Sequence, residues 1–133
     1  MNDQELLELA AEAAGLHVGS DQGEYQYRDD GTWVAGLYAT DNGYPLFWNP
    51  LIDDRDALRL AVKLRLSLDH NHPADQQPWV AVDRTGCEGC HSPVCCVEDD
   101  FEEKDRGAAT RRAITRTAAE IERQARITTE DGK

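Results

Sequence analysis

The stretch WNPLIDDRDALRLAVKLRLSL, residues 48–68, decides the fold, because a strand end, a turn and a capped helix follow one another within it. Pro50 lacks an amide proton and stops the strand that delivers Trp48. Asp53 or Asp54 can cap a helix whose first turn is rich in carboxylates, where the helix dipole favours them. Ala57, Leu58, Ala61, Val62 and Leu64 or Arg65 recur at helical spacing and predict its buried stripe. Leu66, Ser67 and Leu68 can begin another strand, whereas residues 69–78 are polar and read as a loop.

Working outward, the segment before this block alternates polar and aromatic residues at 24–27 and turns at Asp29, Asp30 and Gly31. A second strand over 33–38 turns again at Asp41, Asn42 and Gly43 before a third over 44–48. Asp-Gly and Asn-Gly pairs tolerate positive φ and mark hairpins, so a three-stranded antiparallel meander is predicted. Leu6, Leu9 or Ala10, and Ala13 predict a helix over 3–14, capped by Asp3 and ended by Gly15. Downstream, 79–82 and 94–97 read as two strands joined by a turn that holds Gly86, Gly89 and Pro93. The acidic residues 98–103 lead to a last helix over 106–126, with Ala109, Ala113, Ile114, Ala118, Ile121 and Ala125 on one face. Together these predict a single α+β domain over residues 1–127, followed by a frayed tail at 128–133. Its core is a mainly antiparallel sheet of about four to five strands packed with three helices, sandwich-like.

Charge narrows the possible partners. The 133 residues carry 26 acidic and 14 basic side chains, a formal net charge of -12. Self-repulsion of that size opposes the gripping of nucleic acid or of an anionic membrane. Mimicry of DNA toward a DNA-binding protein stays compatible with it. The opening residues 1–5 have neither a basic region nor an apolar run, so a cytoplasmic location in a bacterial host cell is expected. No apolar run is long enough to cross a bilayer.

The 48–68 block is preceded by ELLELAAEAAG and followed by ATRRAITRTAAEI. In that layout the chain resembles a family of small phage and prophage proteins, the phage α/β/α ("ABA") sandwich domain proteins. The resemblance implies a phage or prophage origin and a compact α/β fold. It carries no assigned activity and therefore no functional residue.

The sharpest local motif is GCEGCHSPVCC, which holds Cys87, Cys90, His91, Cys95 and Cys96. A Cys-x-x-Cys turn can present two thiolates to one zinc ion, with the remaining ligands from the other three, or from His70 or His72. Zinc ligand pairs are usually a dozen or more residues apart, and here all lie within one hairpin. The string Cys87-x-x-Cys90-His91 also matches c-type haem attachment, which requires export. A thioredoxin-like thiol would need a helix N-terminus that this turn lacks. The plainer reading packs Cys95 and Cys96 in a strand as small hydrophobes and leaves Cys87 and Cys90 in an exposed turn, with no cofactor.

His70, Asn71 and His72 spell a nuclease-like string without its surrounding motif. The carboxylate pairs Asp29–Asp30, Asp53–Asp54 and Asp99–Asp100 fall at turns and helix starts, and no nucleophile elbow or phosphate loop occurs. A non-enzymatic protein is therefore expected, an accessory protein that binds a host or phage protein and inhibits it, with DNA mimicry as one version. The expected contact residues are Asp53, Asp54, Asp56, Asp99, Asp100, Glu102 and Glu103, set against six arginines on the last helix. The alternatives are a zinc or redox domain centred on Cys87–Cys96, and a small-molecule-sequestering protein with a sheet–helix cleft lined by Trp33, Trp48 or Trp79.

Overall fold

The computed structural model describes residues 2–18, 25–27, 33–41, 44–85 and 93–131. Along them run α1 (Asp3–Ala13), β1 (His17–Val18), β2 (Tyr25–Tyr27), β3 (Trp33–Ala35), β4 (Leu37–Asp41), β5 (Tyr44–Trp48), α2 (Asp54–Leu64), β6 (Ser67–His70), β7 (Val80–Arg84), β8 (Val94–Glu98) and α3 (Arg106–Asp131). An α+β fold with three helices and antiparallel strand pairs is the result. The strands do not join into the single sheet of four to five that the sequence predicts. Among the described residues they form three sheets, β1-β4-β5, β2-β3 and β6-β7-β8.

Gly36 is where the predicted second strand divides. A Cβ there would stand 2.7 Å from Phe47 Cζ and 2.9 Å from the Trp48 carbonyl oxygen. The chain can pass this close only without a side chain, and the break hands β3 to β2 and β4 to β5. Leu37 pairs with Trp48 across β4 and β5, and both are buried.

Both short helices end alike. Gly15 takes φ +79° after α1, and the Leu16 amide bonds back to the Ala11 carbonyl at 2.9 Å. Arg65 takes φ +55° after α2, and the Leu66 amide bonds back to Ala61 at 2.9 Å. The cap of α1 is Asn2 rather than Asp3, in a reciprocal box with Glu5. Asp53 caps α2, its side chain accepting from the Asp56 amide at 3.0 Å.

The longest helix, α3, packs against α1, α2, β7 and β8. Its buried face is wider than the predicted stripe, since Thr115 and Thr117 are fully buried beside Ala113, Ile114 and Ala118. Their hydroxyls bond the Arg111 and Ala113 carbonyls at 2.8 Å, which satisfies them inside the core. Ala125, expected on that face, is exposed. The helix also runs on to Asp131, through residues expected to fray, because no breaker comes before Gly132.

Candidate functional site

The expected acidic contact residues are largely occupied by the fold itself. Asn49, buried, follows β5 and turns the chain with its Oδ1 accepting the Leu51 amide at 2.9 Å. The Asp56 carboxylate reaches back to the Asn49 amide at 2.9 Å. Burial holds the Asp56 carboxyl above its ordinary pKa, a shift opposed by the Asn49 hydrogen bond and reinforced by nearby Asp53. Asp54 pairs with Arg111 at 2.7 Å, and Arg111 also donates to the Leu51 carbonyl at 2.9 Å. Asp53, Asp54 and Asp56 thus shape one turn and fasten it to α3. Glu103 receives Arg106, whose hydrogen bond holds its carboxyl below the usual range. Glu102 pairs with Lys104 at 3.4 Å. Asp99 and Asp100 stand exposed after β8.

The His70-Asn71-His72 string is a structural junction. Asn71 is buried, and its Oδ1 accepts the Trp79 amide at 3.0 Å and also Arg106 Nη2. Arg106 further reaches the Trp79 carbonyl and His70 Nδ1, at 3.2 and 2.9 Å. His72 Nδ1 accepts the Ala74 amide at 3.0 Å. One guanidinium on α3 therefore locks the loop between β6 and β7.

Of the cysteine motif, Cys87, Cys90 and His91 lie outside the described residues. Cys95 and Cys96 lie on β8, and successive strand residues point to opposite faces. Cys95 is exposed opposite Asp83, while Cys96 is half-buried toward α3, beside Arg112, Arg116 and Ala119. The two sulfurs leave opposite sides of the sheet, so from these strand positions they do not converge on one ion. Lost hydration first, then Asp83, Cys96 and Asp69, push the Cys95 thiol up and keep it protonated. Among the described residues no group of three or more Cys, His, Asp or Glu side chains is placed to hold a metal, and no helix is long and apolar enough to cross a membrane.

Two groups of cations differ among the described residues, those of α3 and those of α2. Every named arginine of α3 is paired: Arg106 with Glu103, Arg111 with Asp54, Arg112 with Asp3, Arg116 with Glu98, Arg123 with Glu120, and Arg126 with Glu12 and Glu122. Four of those pairs staple α3 to α1, α2 and β8. Arg55, Arg59 and Lys63 on α2 make no ion pair among the described residues; Arg59 and Arg55 act on Asp56 only through their field. Spaced four residues apart, they stand about 6 Å from one another along the helix.

These three cations flank a cleft of about 360 Å³ between β5 and α2. Leu16, Phe47, Trp48 and Leu60 line its apolar side, and Asp53 and Asp56 its end near the α2 N-terminus. Trp48 therefore does line a sheet–helix cleft. Trp79 instead lies at the Arg106 junction, and the Trp33 side chain is outside the described residues.

On the outer side of α2, Leu58 and Val62 are 65% and 67% exposed. The helical spacing predicts both on the apolar stripe or at its borders. The helix instead buries Ala57, Leu60 and Ala61, with Leu64 packed against them. Arg55, Leu58, Arg59 and Val62 fall at i, i+3, i+4 and i+7, one stripe on the solvent face. The four-residue spacing of the cations was readable in the sequence, whereas the exposure of Leu58 and Val62 was not. No family model, no curated protein and no solved structure matches the chain. The phage resemblance rests on sequence layout alone.

Proposed function

We propose that the protein is a non-enzymatic binding protein, a phage or prophage accessory protein that engages a host or phage protein through the outer stripe of α2. The carrying observation is that stripe: two exposed aliphatic side chains, Leu58 and Val62, beside two cations without ion partners among the described residues. Exposed apolar surface next to unneutralised charge fits an acidic partner segment with apolar anchors, which would bury the aliphatic pair and pair the guanidinia. The DNA-mimic version has less support, because Asp53, Asp54, Asp56 and Glu103 already serve hydrogen bonds and ion pairs within the chain.

Capture from bacterial host lysate, with wild type beside Leu58→Gln/Val62→Gln, tests the reading. Supporting it requires a protein held by wild type, released by the double substitution, weakened by salt and not displaced by DNA. Partners that ignore the substitution, or that DNA displaces, contradict it.

A further inference from the structure

We infer that the cleft between β5 and α2 is a second binding site, for a small anionic ligand with an apolar body. The inference does not depend on a protein partner for the outer stripe of α2. At about 360 Å³ the cleft falls within the size of small-molecule sites, roughly 300 to 1,000 Å³. Its wall holds Arg55, Arg59 and Lys63, and its floor holds Leu16, Phe47 and Trp48. A phosphate or carboxylate has cations to meet, and a ring or chain attached to it has apolar surface to cover.

Two carboxylates, Asp53 and Asp56, lie at the other end, so the lining sets three cations against two anions and keeps a positive balance. Asp53 directs one oxygen at the Asp56 amide and Asp56 one at the Asn49 amide, which holds both toward the α2 N-terminus. Two other hollows among the described residues lack the combination. A hollow of about 440 Å³ beside Asn71 is lined by Asp75, Glu102 and Glu103 and has no cation. The hollow beside Cys96 has Arg112 and Arg116, which are already paired with Asp3 and Glu98.

The test titrates the full chain with phenyl phosphate, inorganic phosphate and benzyl alcohol while following backbone amide resonances. Phenyl phosphate is expected to saturate, to shift Leu16, Phe47 and Lys63, and to bind about tenfold tighter than inorganic phosphate, with no saturation by the alcohol. Arg59→Gln/Lys63→Gln should weaken phenyl phosphate by about tenfold or more, since each removes a charge-assisted contact. Leu58→Gln/Val62→Gln should leave it unchanged, which distinguishes the cleft from the aliphatic part of the stripe, with which it shares Arg55 and Arg59. Absence of saturation, equal binding of the two phosphates, or unchanged affinity in the Arg59/Lys63 variant would overturn the inference.

Discussion

Arg65 closes α2 in a left-handed conformation, the single described non-glycine residue with positive φ. A side chain there costs about 1–2 kcal/mol relative to the right-handed region, and glycine avoids that cost. Arg65→Gly should therefore stabilise the fold by about 1 kcal/mol, after the greater freedom glycine has when unfolded. Denaturant titration would show it as a raised midpoint with an unchanged slope. Gly36 is the reverse case. Gly36→Ala forces a methyl group onto Phe47 and the Trp48 carbonyl, and should destabilise by about 1–3 kcal/mol, read as a lowered Tm.

Asp56 gives a pH signature. Its pKa is raised in the folded state, so that state binds more protons than the unfolded chain between the ordinary aspartate value and the raised one. Stability from this group therefore falls as pH rises through that window. Asp56→Asn keeps an oxygen for the Asn49 amide and removes the titration. Its stability relative to wild type should rise with pH across the window, checked by denaturation at several pH values.

At the scale of elements, α2 shows where sequence and structure part. Its boundaries, its Asp53 cap and the strand before Asn49 follow from local chemistry, because capping and turn formation involve residues a few positions apart. Its buried face does not. Aliphatic residues flank Ala57 and Ala61 on both sides, Leu60 and Leu64 on one and Leu58 and Val62 on the other. Only the placement of α3 and β5 chooses between them. The same limit hid the division of the sheet at Gly36, which depends on Phe47 eleven positions away. It also hid the Arg106 junction, whose partners in β6 and the loop after it lie 27 to 36 positions upstream.

That junction makes its own prediction. Asn71→Ala leaves the Trp79 amide without its side-chain acceptor and Arg106 without one of its partners. The loss should be about 1–3 kcal/mol, with faster amide exchange at Trp79 as the local signature. If Asn71 served catalysis instead of folding, stability would hardly change.

Across the whole molecule, the net charge of -12 conceals an ordered distribution. The arginines of α3 are matched to carboxylates on α1, α2, β8, α3 itself and the turn just before it, so the longest helix is charge-paired as well as buried. Each exposed pair adds little, about 0–1 kcal/mol, yet together they orient the surrounding elements. Arg55, Arg59 and Lys63 on α2 have no ion pair among the described residues, and they lie beside exposed aliphatic residues on one flank and a cleft on the other. The proposed binding role rests on that contrast, and on α2 rather than on the acidic segment after β8.

The most direct measurement is the affinity of the captured partner for two variants, Leu58→Gln/Val62→Gln and Asp99→Asn/Asp100→Asn. At least about a tenfold loss is expected for the α2 variant and near-wild-type affinity for the other. Loss confined to the Asp99/Asp100 variant would contradict it and place recognition on the acidic segment.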